Sequence, residues 1–321
     1  MKVVFKKGFT VYSRDNPEIA IVAPHCGPAL EVTTSRDDNS ETTASLLWKK
    51  TGGKLLVANV ARRRLWGVDF NRDIPPLKRA LDAYPYFQRF DDIQVVFQYK
   101  KKYAWVAADE EDYYERLRIY QGFWGELEDC KVVVFVHRQF NRMKSLPGVM
   151  DFVHLVGRQV KQEKVYSMLA EVNTQYRGFF QRIEPGYKQA VFLECQRMVA
   201  EAIWKYKEFT WEKFSVFTRE VFFKDMKVIQ KYASPYLVQR LASKFTAENY
   251  LEASRDALSK ISNLRVTVEN AFDGSMAFGP RRKLFSGDKL VIEVEPSQFL
   301  NQWYPGETAS IIKEMMMRLA K

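Results

Sequence analysis

This chain has few residues suited to crosslinking and none of the long apolar runs that cross membranes. Three cysteines (Cys26, Cys130 and Cys195) stand in 321 residues. That is too few and too scattered for a disulfide framework or a Cys-rich zinc module. Histidine is equally scarce, with only His25, His137 and His154. No stretch approaches the ~18 uninterrupted apolar residues of a membrane span. The opening MKVVFKKGF lacks the apolar h-region of a secretory signal. A soluble, cytoplasmic protein with no membrane partner is therefore expected. No internal repeat or low-complexity tract stands out.

What is present describes a globular chain. Hydrophobic residues make up 46% and charged residues 28%, a balance that argues against disorder. Aromatic residues reach 14%, enough for a sizeable core. The net charge of +11 favours polyanions in general without naming one. Much of it sits in residues 156–265, where 19 Lys and Arg face 12 Asp and Glu.

The first ~155 residues alternate between strand-like and helix-like segments. Glu18–Ala23 (EIAIVA), Leu55–Val60 (LLVANV) and Lys131–Val136 (KVVVFV) are continuous apolar runs. Such runs suit strands buried on both faces, as in a parallel sheet. Ser40–Lys50 between the first two reads as a helix with Ser40 as its candidate cap. From 156 to 265 Gly and Pro become rare and helical spacing takes over. Phe214, Phe217, Val221, Met226 and Ile229 form one apolar stripe, and Val191, Met198, Ala202 and Ile203 another; both read as core-facing. Thr246–Ile261 is a further helix, with Thr246 as candidate cap. Strand texture returns at Val266–Glu269 and Lys289–Glu295 (KLVIEVE), and Gly306–Ala320 closes as an amphipathic helix. The expected fold is α/β: a mixed, mostly parallel sheet flanked by helices. Residues 1–155 plus 266–321 form that domain, and 156–265 an all-helical insertion.

His25 follows the end of the first strand, and His137 follows KVVVFV. In a parallel sheet both emerge at the carboxyl edge, where open α/β sheets bind ligands. Two such histidines, a carboxylate and water make the open donor set of a hydrolytic zinc site. His154 has no strand behind it and reads as structural. Asn71-Arg72, after the second strand, offers donors for a carboxylate, which Arg grips with two parallel bonds.

Pro24-His25-Cys26-Gly27, then an acidic segment opening a helix, then Val68-Asp69-Phe70-Asn71-Arg72 together resemble the N-formylglutamate amidohydrolase family. That family is related to zinc carboxypeptidases and aminoacylase-like deacylases. The resemblance spans roughly 18–145 and 266–320, and VDFNR is its most specific piece. It implies a phosphorylase/hydrolase-like, zinc carboxypeptidase-like fold and a zinc cofactor. It makes His25 the first metal ligand and His137 the last, with the middle ligand an acid within Arg36–Glu41. Glu41 is preferred there, from the first turn of the helix, and Asp38 is the rival. The resemblance further implies that Asn71 and Arg72 hold the substrate carboxylate. Asp69 would orient Arg72 or its loop. Glu293 would be the general base, with Glu295 two residues on along the same strand face. Arg64 is the candidate for stabilising the oxyanion.

The implied function is a zinc-dependent amidohydrolase cleaving an N-acyl amino acid or a related carboxylate-bearing amide. Two other readings are a zinc peptidase of the same fold, and a nucleic-acid-binding protein on an inactive hydrolase-like scaffold. The last draws on the basic helices and on Trp204-Lys205-Tyr206-Lys207. The helical insertion could also serve a homo-oligomer.

Overall fold

A computed structural model describes residues 1–28, 36–89, 93–153, 160–218, 220–270 and 289–320. His154 lies outside the described residues. The chain divides into two compact units. One comprises Met1–Arg138, Phe152–Val172 and Phe272–Lys321; the other comprises Gln139–Asp151 and Asn173–Ala271.

The first unit is built on strands that, all but the first, are mostly buried. These are β1 (Lys2–Lys6), β2 (Phe9–Ser13), β3 (Ile19–Ala23), β4 (Lys54–Ala58) and β5 (Val132–Val136). β6 (Gly148–Val153, for the most part) and β7 (Arg265–Val268) belong to the second unit, and β8 (Leu290–Pro296), in the first, comes last in the chain. The sheet order is β1-β2-β4-β3-β5-β8-β6-β7. β3 pairs with β4 and β5 in parallel, and β5 pairs with β8 in parallel. β1 and β2 are antiparallel to each other, and β2 is antiparallel to β4. The fold is therefore mixed α/β, as expected from the apolar runs. The N-terminal hairpin that extends the sheet past β4 carries too short a pattern to have been read in advance. Every residue of β8 is buried, as suits an interior strand paired in parallel with β5.

Helices flank these strands: α1 (Ser40–Thr51), α2 (Leu77–Arg89), α3 (Ile93–Lys102) and α4 (Glu110–Gly125) in the first half of the chain. α5 (Gln162–Gln175) buries Val165, Met168, Leu169 and Val172. It falls mostly in the first unit, although the sequence placed it at the head of the insertion. Lys164 Nζ bonds the Leu319 carbonyl at 3.2 Å, and Glu171 pairs with Arg318. After β8 come α11 (Gln298–Trp303) and α12 (Pro305–Ala320). The core joins Phe9, Val22, Leu56, Phe70, Trp105, Phe123 and Phe135, all at most 1% exposed. Phe123 of α4 meets Phe9 edge-on at 5.5 Å and stacks flat on Phe70 at 3.9 Å.

Ser40 is not the cap of α1. Asn39 holds that place with φ 64°, and the buried Ser40 hydroxyl pairs with Cys26 Sγ at 3.2 Å. A first-turn hydroxyl facing the sheet finds a local partner there instead of the helix end.

The second unit is helical apart from β7 and the greater part of β6. The long α6 (Arg177–Tyr206) is followed by α7 (Trp211–Thr218), α8 (Glu220–Tyr232), α9 (Pro235–Ser243) and α10 (Ala247–Lys260). Phe214, Met226, Ile229, Val191, Met198 and Ala202 are buried as expected, whereas Ile203 is exposed. It sits one position past the stripe, near the end of α6. Phe209, Phe214, Phe245 and Tyr250 form an aromatic cluster with centroids 4.7–6.2 Å apart. Thr246 caps α10 by accepting from the Asn249 amide at 3.2 Å. Glutamates on α6 pair with Arg197 on both sides, the pattern of a solvated face.

Candidate metal centre

The chain runs from β3 to β4 on one side, then crosses to β5 on the other. Strand order therefore reverses between β3 and β5, and such a reversal opens a crevice at the carboxyl ends. His25 and His137 lie there, 1% and 2% exposed, with ring centroids 4.9 Å apart.

Local packing fixes both. A Cβ on Gly27 would lie 1.8 Å from the Val60 carbonyl oxygen, so only glycine lets the loop after His25 press against the end of β4. The His25 carbonyl accepts the Asp37 amide at 2.9 Å, which draws Asp37 alongside. The His137 amide donates to the Val294 carbonyl at 2.9 Å.

The Asp37 carboxylate stands between the rings. Its Oδ2 is 3.1 Å from His25 Nδ1 and 2.9 Å from His137 Nδ1. The ligand atoms of these three residues lie within 4.8 Å of one another. His25 turns its other nitrogen, Nε2, to Asp69 Oδ1 at 3.1 Å.

Asp69 reaches that place through the alternation of VDFNR. Val68 and Phe70 enter the core, while Asp69 and Asn71 face the other way. Asp69 Oδ2 accepts from Arg64 at 2.9 Å and from Arg62 Nε at 3.2 Å. Asn71 Nδ2 is 3.2 Å from His137 Nε2, and Glu293 Oε1 is 3.6 Å from the same nitrogen. His137, Glu293 and Glu295 form a second close group of donor atoms.

The charges are strongly coupled. Burial opposes ionisation of Asp37, but His25 and His137 beside it hold its carboxyl well below the usual range. Burial likewise opposes Asp69, and Arg64 and Arg62 overcome it. Burial pushes the His137 imidazole down, toward the neutral form, despite Glu293 and Asp37 nearby. Burial, with Glu293 and Asp37 adding repulsion, pushes Glu295 well above its usual range. Burial brings Arg64 down to about 10, with Asp69 countering.

Several expected site residues thus meet: His25, His137, Asn71 and Glu293. Glu41 is not in the cluster; it pairs with Arg36. Asp38 also turns to Arg36, at 3.5 Å, and to Arg138, at 3.8 Å. The acid between the histidines is Asp37, which lies within the expected Arg36–Glu41 segment but is neither of the two acids preferred there. Arg64 is spent on Asp69 and on the carbonyls of Lys100, Tyr103 and Arg62. Arg62 is the guanidinium that also approaches Asp37, with Nη1 3.8 Å from Oδ1. The Asp69 carboxylate serves His25, Arg62 and Arg64, and it also holds its own loop, Oδ1 accepting the Asn71 amide at 2.9 Å and the Asp69 carbonyl accepting the Arg72 amide at 3.1 Å. Arg72, half-buried, donates to the carbonyls of Lys100 and Asn71.

The donor set could hold a metal ion. Two imidazole nitrogens converge on one carboxylate oxygen, and the nitrogen of His25 turned away from it is held by a second carboxylate. That outer partner is the usual way to fix a ligating histidine, and two His with one carboxylate is a known catalytic zinc set.

No protein-family model matches this chain, and no curated protein does. Among solved structures, the gene product Atu2144 from Agrobacterium tumefaciens is similar at a TM-score of 0.47 and 13% identity. The match covers 98% of this chain and 94% of that chain. Among the described residues, no helix is long and apolar enough to cross a membrane.

Proposed function

We propose that the chain is a metal-dependent amidohydrolase acting on an N-acyl amino acid or a related carboxylate-bearing amide. One observation carries the reading. His25, Asp37 and His137 converge at the sheet's switch point with Glu293 alongside. These three residues would hold zinc, which supplies Lewis acidity by polarising the scissile carbonyl and easing deprotonation of water.

The remaining work falls to the chain's own groups. Glu293 accepts the proton of the attacking water and later delivers it to the leaving amine. Arg62, whose Nη1 is 3.8 Å from Asp37 Oδ1, would supply the cation for a developing oxyanion, in place of Arg64. Asp69 fixes the His25 ring. Asn71 and Arg72 offer donors to the substrate carboxylate.

Elemental mass spectrometry of untagged protein tests the metal. The expected result is about one zinc per chain, lost in His137→Ala. A panel of N-acyl amino acids and peptides then tests the reaction, with Glu293→Gln as control. Metal-free wild-type protein that takes up no added zinc would overturn the reading.

A further inference from the structure

His137 and Asp37 come from segments a hundred residues apart, yet their nitrogen and oxygen lie 2.9 Å apart. The structure shows two ties that hold this spacing, and both end on the short helix α11. The Asn301 side chain is 1% exposed. Its Nδ2 donates to the His137 carbonyl at 3.1 Å, and its Oδ1 accepts the Thr43 hydroxyl at 2.7 Å. A carbonyl only accepts and the amide oxygen cannot donate, so the amide has one satisfied orientation. The second tie runs through Arg138, next to His137. Its Nη2 donates to the carbonyl of Arg36, next to Asp37, at 2.7 Å, and its Nη1 donates to Gln298 Oε1 at 3.2 Å. Gln298 and Asn301 are three apart, so they share a face of α11.

We propose that Asn301 and Arg138 are positioning residues that set the distance between the His137 and Asp37 segments and thereby the affinity for metal. This rests on the proposed metal centre. Thr43 stands on α1, which begins three residues after Asp37, so the amide bridges the element after one ligand to the backbone of the other. Burial makes both ties stiff. Losing one partner leaves the other unsatisfied in a dry place, and the ligand segments then relax apart. Partners behind metal ligands typically contribute ~10–100-fold in affinity.

The test is competition for zinc against a chromophoric chelator, using folded protein, with melting of the metal-free forms recorded alongside. Asn301→Ala and Arg138→Met are each expected to weaken zinc binding by ~10–100-fold. Thr43→Val should weaken it as well, while Thr43→Ser, which keeps the hydroxyl, should restore wild-type affinity. This rescue pair serves even if Asn301→Ala fails to fold. If the folded variants melt lower but bind zinc as tightly as the wild type, the two residues support the fold only and the proposal falls. If the wild type itself binds no zinc, the metal centre falls and this inference with it.

Discussion

At the residue scale the centre depends on which acid faces the histidines. Asp37 Oδ2 is in contact with both imidazoles, whereas Glu41 is held by Arg36. Asp37→Ala is therefore expected to abolish zinc retention, and Glu41→Gln to keep it near one per chain. Elemental analysis of the two variants checks this, and the reverse pattern would restore Glu41. At the next step, Glu293→Gln should retain zinc but lose roughly 10²–10⁴-fold in turnover, the usual worth of a positioned acid–base group. The carboxyls in Arg36–Glu41 were legible as a set of candidates. The choice among them was not, because it is made by the backbone bond from the Asp37 amide to the His25 carbonyl. That contact belongs to the loop, and helical periodicity is silent about it. The choice between Arg62 and Arg64 was not legible for a related reason. Arg62 and Arg64 are both close in sequence to VDFNR. Only the fold shows Arg64 turned into the carbonyls of Lys100 and Tyr103.

At the element scale VDFNR works through its period of two. Phe70 anchors the segment by stacking on Phe123 at 3.9 Å, and Asp69 and Asn71 are thereby aimed at the histidines. Phe70→Ala should destabilise the protein by ~3–5 kcal/mol, the usual cost of truncating a buried aromatic, and lower zinc affinity as well. Denaturant unfolding and chelator competition measure the two effects. Loss of stability with unchanged affinity would mean that the site does not depend on this anchor. The buried strands β3 and β5 were legible because their sequences are unbroken apolar runs, and β8 because β-branched residues recur through LVIEVEP despite its two glutamates. The hairpin β1–β2 was missed, since Lys2–Lys6 is only partly buried and its pairing depends on β4, which lies forty residues further on.

At the scale of the whole molecule, buried charge shapes the dependence of stability on pH. Asp225 in the helical unit is 2% exposed and accepts the Lys144 amide at 2.7 Å. Burial raises its carboxyl from 3.8 to about 6, with Arg142 and Lys144 opposing and Glu194 adding to the rise. The folded protein thus holds a proton that the unfolded chain has released. Stability is highest below pH 4 for this group, falls as pH rises to 6, and is flat above that. The loss is about 3 kcal/mol at 1.36 kcal/mol per unit. Asp225→Asn should gain on the wild type in melting temperature as pH rises from 4 to 6. Equal profiles would place the proton elsewhere. The sequence by itself determined the class of fold, the helical stretch after it, and two histidines at strand ends, because apolar runs and periodicities are local properties. Only the tertiary structure decided that Asp37 contacts both histidines, that Arg62 approaches Asp37 and that Asn301 bonds the His137 carbonyl. Sheet order at the β3/β5 reversal, and the bonds that close loops against it, bring together residues up to 258 positions apart.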